Sequence, residues 1–213
     1  PLVMRMNLNQ QSCGEEWRIH KNLLKSMSPI VDCRIHYVDI MCQITQSQPI
    51  RVAAIGARLS KEINPQTYNY GQLQVVFADG SVGWYEAGWG PMMSETAYFI
   101  KDVIGPRGAI SIVHSSTRGG SANINTHTQT NRLRLHLARL NSKGKFYYPD
   151  KIIDMSDEPD HQELCNREQL FFLKAIKNNL DLEQHYSSAL NSLKIVLAAD
   201  QAVKTGRIVK LRN

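Results

Sequence analysis

The sequence predicts an α+β fold, and three features of it do so. An apolar helix comes early, a run of short strands separated by turn signals fills the middle, and two amphipathic helical segments close the chain. A regular alternation of strands and helices, the mark of a parallel α/β sheet, is missing, and no internal repeat is present.

Residues 1–8 set Leu2, Met4, Met6 and Leu8 against Val3, Arg5 and Asn7, the period-two pattern of a half-buried strand. Residues 13–25 read as a polar connection with a short helical turn that contains Trp17 and Arg18. A helix is expected over residues 28–44, S-P-I-V-D-C-R-I-H-Y-V-D-I-M-C-Q-I, because Ser28 is a good N-cap and Pro29 a good first residue. The polar run at 45–49 closes it, and residues 50–59 read as a strand. Residues 73–78 and 81–89 flank Asp79-Gly80, the strongest short hairpin signal in the chain. A second pair, 97–104 and 109–113, surrounds Gly105-Pro106-Arg107-Gly108. Residues 114–131, rich in Ser, Gly, Thr and Asn, read as a surface loop, with a lid as the alternative.

Leu133, Leu135 and Leu137 then alternate with Arg132, Arg134 and His136 over residues 132–140, a strand with one face solvated or covered by a partner. Residues 161–178 place Leu164, Phe171, Phe172, Ala175 and Ile176 at helical spacing. Residues 182–205 repeat the pattern with Tyr186, Leu190, Leu193, Leu197 and Ala202, and Gly206 stands where a helix-ending glycine belongs. Two such helices suffice to cover one face of a sheet. Residues 207–211 read as a short return strand, so residues 1–213 are expected to form a single domain.

Composition narrows the function. A hydrophobic share of 42% with 21% charged residues is ordinary globular composition and excludes disordered and fibrous classes. No apolar run approaches the ~18–20 residues that a membrane span needs, and no signal-peptide pattern is present. The chain starts at a proline, which suggests a fragment or a processed product. Cys13, Cys33, Cys42 and Cys165 show no C-x-x-C spacing; neither a zinc site nor a disulfide framework is expected, and a reducing cytoplasm fits. The net charge of +6 arises from 25 basic residues scattered among 19 acidic ones, without a basic block, so no nucleic-acid partner is expected. Residues 51–58, R-V-A-A-I-G-A-R, resemble the opening strand of a dinucleotide-binding fold, but Ala57-Arg58-Leu59-Ser60 follows in place of a G-x-G-x-x-G turn. Any nucleotide cofactor would therefore be bound mostly outside this chain. Neither a G-x-S-x-G elbow nor an H-E-x-x-H helix supports a hydrolase.

The helix at 28–44 carries the chemistry. At ~100° per residue, Asp32, His36, Asp39 and Gln43 fall within roughly 60° of one another. The other faces are apolar, and a helix so apolar is expected to be enclosed, where carboxylates and imidazoles are costly unless they pair or react. Asp32 and His36 are i,i+4 neighbours, so the carboxylate could hold the ring while the ring exchanges a proton with a substrate hydroxyl. The same spacing also serves a purely internal hydrogen bond near a helix start, with Asp39 as a salt-bridge partner.

The segment from Trp17-Arg18 through Ser28-Pro29-Ile30-Val31-Asp32-Cys33-Arg34-Ile35-His36-Tyr37-Val38-Asp39 resembles the W-R…G-G-G-x-x-x-D-x-G-x-H-x-x-D stretch of the Gfo/Idh/MocA (glucose–fructose oxidoreductase, inositol dehydrogenase, MocA-like) oxidoreductases. The Val76-Phe77-Ala78-Asp79-Gly80-Ser81-Val82 hairpin, the Gly105-Pro106-Arg107-Gly108-Ala109-Ile110 turn and the close from Phe171 to Val209 resemble the family in the same order. The resemblance implies a C-terminal domain with a large, open, mostly antiparallel sheet and helices packed on one face, the N-terminal Rossmann domain for NAD or NADP lying elsewhere in the gene. It implies His36 as the proton acceptor and donor during hydride transfer, Asp32 as a substrate-binding or orienting group, and a sugar, cyclitol or related polyol as substrate. Asp39 matches a position of structural character. Trp17, Arg18, Trp89 and His161 are further candidates for the substrate pocket, against the alternative of packing or surface positions. The resemblance also implies a homo-oligomer formed through the free sheet face. Two departures bear on the pocket: Ser26-Met27-Ser28 replaces the glycine triplet, and Arg34 replaces the glycine between the aspartate and the histidine. A non-catalytic ligand-binding or self-association module that retains the fold is the competing reading.

Overall fold

The computed structural model describes residues 1–32, 35–94, 101–113 and 130–211. Strand β1 (Val3–Gln11) leads into helices α1 (Gly14–Leu23) and α2 (Ile35–Thr45). A meander of β2 (Pro49–Ala57), β3 (Tyr70–Phe77) and β4 (Val82–Gly90) follows. The second wing consists of β5 (Lys101–Gly105), β6 (Gly108–Ile112), β7 (Asn131–Leu137) and β8 (Lys151–Met155). Helices α3 (His161–Asn178) and α4 (Glu183–Thr205) then precede the short β9 (Val209–Lys210).

The strands form one nine-stranded open sheet in the order β8-β7-β6-β5-β1-β4-β3-β2-β9. Only β1 and β4 run parallel; the other pairs are antiparallel. The first strand thus lies at the centre of the sheet, and the helices and meander that follow it return β4 to its side in the parallel sense. The α+β class with a large, mostly antiparallel open sheet is the fold that the chain adopts.

Period-two alternation decides the core. On β1, Met4, Met6 and Leu8 are buried, and the register sets Met4 opposite Gly83 and Met6 opposite Tyr85. Leu73, Val75 and Phe77 of β3, Tyr85 and Ala87 of β4, and Val52 of β2 share that side. Helix α2 lies on it through Val38 and Met41, both fully buried, and the Tyr37 ring stacks on Tyr85 at 5.8 Å between centroids. Each of these side chains contributes about 1.5–3 kcal/mol on leaving water. A Cβ on Gly83 would stand 2.6 Å from the Met41 sulfur, so a glycine is what lets α2 settle at this depth.

Helix α4 packs beside α2 and over β2 through Ser192, Ile195, Val196, Ala198, Ala199 and Ala202. The small residues bring its axis close to the sheet. Its most conspicuous apolar residues in the sequence face the other way: Tyr186, Leu190, Leu193 and Leu197 are 61%, 57%, 41% and 51% exposed. In α3, likewise, Leu164, Phe171, Phe172 and Ile176 are exposed and only Ala175 is buried. Helical spacing identifies a stripe without saying which side of the helix the sheet occupies, and here alanine and serine line the buried side of α4.

The start of α2 differs from the expectation of one helix over 28–44. Ser28 does act as a cap, its hydroxyl accepting the Val31 N–H at 3.3 Å and its carbonyl accepting the Asp32 N–H at 3.2 Å. Residues 29–32 nevertheless form turns, and the Ile35 N–H reaches back only three residues, to the Asp32 carbonyl. The described helix begins at Ile35. Helix α1 is a ten-residue helix, longer than the turn expected, with Glu15 and Glu16 at its positive end and His20 and Lys21 at its negative end. The Asp79-Gly80 hairpin forms as read; the Asp79 carboxylate accepts the Ser81 N–H at 3.0 Å and its hydroxyl at 2.7 Å, bonds that hold the carboxyl below the usual carboxylate range. Gly206 takes the left-handed conformation at the end of α4, with φ of 66°. Strand β8 was not anticipated. The expectations for residues 97–100 and 114–129 lie outside the described residues. Among the described residues, no helix is long and apolar enough to cross a membrane.

The β6–β7 register depends on one backbone position. Gly108 has φ of +146°, and a Cβ there would stand 1.9 Å from the His136 carbonyl oxygen. Gly108→Ala is expected to destabilise the protein by roughly 3 kcal/mol or more in urea denaturation, through strain and the displaced strand. A loss under about 0.5 kcal/mol would contradict this register.

Candidate active site

The site begins with the way α2 is turned. Tyr37, Val38, Met41 and Cys42 face the sheet and α4, whereas His36, Ile40, Gln43 and Ile44 are exposed. Of the polar stripe read from the sequence, His36 and Gln43 lie on the outward side of the helix, Asp39 is half-buried, and Asp32 is half-buried in the turn before it. The expectation that α2 is enclosed on all sides is corrected: Ile40 and Ile44 are 42% and 41% exposed, so an apolar edge accompanies the polar stripe on the open surface. His36 makes no hydrogen bond among the described residues, so the carboxylate support that its spacing from Asp32 allows is not in place in this chain.

Asp39 points towards α4 instead. Its Oδ1 accepts the hydroxyls of Ser188 at 2.6 Å and Ser192 at 2.9 Å, and its Oδ2 accepts the Gln43 side-chain amide. A carboxylate with this many donors is a structural tie between two helices, in keeping with the structural character that its family position implies. Cys42 lies beside it, and burial, followed by the nearby Asp39 charge, pushes its thiol up to about 12. Beyond them opens a cleft of about 670 Å³ lined by Asp39, Gln43, Gln46, His185, Ser188 and Asn191. It starts one helical turn along the stripe from His36 and carries amide, hydroxyl and acidic groups.

A second tie holds the other end of α2. The Ser28 hydroxyl donates to Asp200 Oδ1 of α4 at 2.6 Å, and the Tyr68 hydroxyl donates to the same oxygen. Burial first, and this bond to Asp200 second, keep the Tyr68 phenol protonated well above its ordinary range. The two helices run antiparallel, since residue 28 meets 200 while 39 meets 188 and 192.

The other candidates are dispersed. Trp17 is buried in a cluster with Leu24, Ile63 and Trp89, and its indole N–H donates to Glu62 at 3.4 Å. Arg18 projects from α1 and pairs with Glu15 of the same helix through a 2.7 Å bond from Nε. His161 is the first residue of α3, with Nε2 3.6 Å from the Cys165 sulfur. That helix follows edge strand β8, four strand spacings from β1, roughly 19 Å. The structure thus places Asp32 in the turn before α2 and His36 on the exposed side of α2, with Arg18 on α1 and His161 on α3. His20 was not singled out in the sequence. Its ring is buried, stacks on Trp89 at 4.7 Å and 4°, and bonds Ser12 Oγ through Nδ1 at 2.9 Å. The spacing of Trp17, His20 and Leu24 on one helix face was the available signal. Among the described residues, no group of three or more His, Cys, Asp or Glu side chains could hold a metal ion.

The fold agrees with comparisons to known proteins. The GFO/IDH/MocA C-terminal domain model matches residues 1–111, just over half of the chain, so the chain belongs to the GFO/IDH/MocA family. No curated protein matches it. Among solved structures, UDP-N-acetylglucosamine 3-dehydrogenase from Acidithiobacillus ferrooxidans aligns with a TM-score of 0.64 at 14% identity, over 95% of this chain and 53% of that one. Myo-inositol 2-dehydrogenase from Lactobacillus plantarum gives 0.63 at 15% identity, over 99% and 56%. Scyllo-inositol dehydrogenase from Lactobacillus casei, solved with bound NAD(H) and scyllo-inositol, gives 0.58 at 16% identity, over 98% and 55%. At such identities the likeness is one of fold. The chain spans about half the length of these oxidoreductases.

Two outcomes test the site's frame. Asp39→Ala leaves the Ser188 and Ser192 hydroxyls without their shared acceptor and is expected to cost about 1–3 kcal/mol in urea denaturation. No measurable cost would contradict the tie. The raised Cys42 thiol stays protonated at pH 8, so iodoacetamide should label exposed Cys13 and spare Cys42 in the folded chain, as read by peptide mass mapping. A group whose folded value lies above its ordinary one of 9.0 adds stability below that value and loses it as pH rises towards about 12, so Cys42 should favour unfolding in strong alkali.

Proposed function

We propose that the chain is the substrate-binding and catalytic half of an NAD(P)-dependent oxidoreductase that acts on a CH–OH group of a sugar, cyclitol or related polyol. The observation that carries this reading is the D-x-x-x-H pair of a family member, with His36 exposed on α2 beside the uncovered Ile40 and Ile44 and Asp32 half-buried in the turn before the helix. An exposed imidazole beside exposed isoleucines suits a surface that another domain covers. Among the described residues there is no glycine-rich turn joining a strand to a helix that could cradle a pyrophosphate. The cofactor would be gripped by a Rossmann domain of the same gene, and this chain would meet only its reactive end.

When bound, a nicotinamide cofactor supplies the hydride acceptor, and it returns the hydride in the reverse direction. The residues of this chain act on the proton and on the substrate's placement. His36 accepts the carbinol proton as the C–O bond gains double-bond character, and returns it when a carbonyl is reduced. Asp32 accepts a hydrogen bond from a neighbouring substrate hydroxyl and so fixes which carbon faces His36. Closure by the companion domain removes water from the His36 surface. Trp17 supports the α1 wall from inside, whereas Arg18 and His161 are engaged elsewhere in this chain.

The chain alone is expected to turn over nothing. We place the protein in a reducing cytoplasm, on its free Cys13, Cys42 and Cys165, without a nucleic-acid or membrane partner. The open sheet face, with Val3, Ile55, Val82 and Ile104 exposed, suits self-association into a homo-oligomer. The competing reading, a non-catalytic module, draws on the absence of a hydrogen bond at His36 among the described residues.

The test is made on the full-length protein with its cofactor and a panel of sugars and polyols. His36→Ala should lower kcat by roughly 10²–10⁴ and leave the thermal midpoint nearly unchanged. Unaltered turnover in that variant would remove His36 from the chemistry.

A further inference from the structure

We infer that Asp200 of α4 is a positioning residue for Asp32, acting through Ser28, a role that rests on the catalytic reading of the α2 surface. The path is short: hydrogen bonds at either end are joined by the Ser28 residue itself. Asp200 Oδ1 accepts the Ser28 hydroxyl at 2.6 Å. Ser28 is 7% exposed; its hydroxyl oxygen accepts the Val31 N–H at 3.3 Å and its carbonyl the Asp32 N–H at 3.2 Å. The carboxylate on α4 therefore orients the serine that holds the backbone of Asp32 itself. Tyr68, 8% exposed, donates to the same Asp200 oxygen and fixes that carboxylate from the β2–β3 connection.

Geometry explains why this end of α2 needs such a device. The far end is held by the Asp39 tie and by Met41 over Gly83. Residues 29–32 are turns, held by fewer helical bonds than α2. The backbone that carries Asp32 is thus tied to α4 through Ser28, and misplacement by about 1 Å is enough to cost on the order of a hundredfold in rate.

Three variants of the full-length protein separate positioning from plain stability. Asp200→Leu keeps the branching of the side chain and removes the acceptor; Asp200→Asn keeps an acceptor oxygen; Tyr68→Phe leaves the Ser28 bond intact. Asp200→Leu should lower kcat at least tenfold with the cofactor KM within twofold, Asp200→Asn should recover to within threefold of wild type, and Tyr68→Phe should stay within threefold. Amide hydrogen exchange at Val31 and Asp32 should accelerate at least tenfold in Asp200→Leu while Val38 and Met41 stay protected. If Asp200→Leu does not fold, Ser28→Ala is measured in its place against the same two readouts.

Normal kcat in Asp200→Leu, alongside an inactive His36→Ala, would overturn the positioning role. Faster exchange at Val38 and Met41 in equal measure would overturn it too, by showing a general loss of stability. Full turnover by His36→Ala would sink the catalytic reading instead, and the exchange pattern at Val31 and Asp32 would still decide whether Asp200 holds that backbone.

Discussion

Everything about the candidate site follows from the seating of α2. The helix is pressed into the sheet where Gly83 leaves room for Met41, and Val38 and the Tyr37–Tyr85 stack fix its rotation. With the apolar side committed to the sheet, the remaining faces have no choice. Asp39 turns to α4, and His36, Ile40, Gln43 and Ile44 face outward. Two polar ties to α4, one at each end, then prevent rolling along the sheet. A side chain larger than glycine at position 83 would press on the Met41 sulfur and a Val75 methyl and force that contact to repack.

The departure from the family pattern at Ser26-Met27-Ser28 takes on meaning within this frame. A glycine at position 28 would keep the carbonyl bond to the Val31 N–H but could not reach Asp200, whereas the serine hydroxyl does. Arg34, the other departure, lies outside the described residues.

Local signals were legible where one short segment decides the outcome. Alternation on β1, the Asp79-Gly80 hairpin and the Gly206 stop all appear where the residues placed them, whereas Ser28 caps a turn rather than the helix expected to start at Pro29. What the sequence concealed depends on partners far along the chain. Asp200 meets Ser28 across 172 positions and Tyr68 across 132, and no periodicity announces such a meeting. The choice of face on α4 failed for a different reason. Leu190, Leu193 and Leu197 look like core residues by hydrophobicity, but close approach of two helices and a sheet selects Ala198, Ala199 and Ala202 for the inside. At the site, helical geometry put Asp32, His36, Asp39 and Gln43 on one stripe, but Asp32 lies in a turn before the helix and Asp39 turns to α4, so that only His36 and Gln43 share the exposed side. The exposure of that side was not readable, because it depends on which face of α2 the distant sheet and α4 take.

The central claim is that α2 presents His36 to a surface covered only when the companion domain and its cofactor are present. Diethylpyrocarbonate modification, followed by peptide mass mapping of His36, tests it directly. The account predicts rapid carbethoxylation of His36 in this chain alone and at least tenfold slower modification in the full-length protein with bound cofactor. Equal rates in the two states would contradict it.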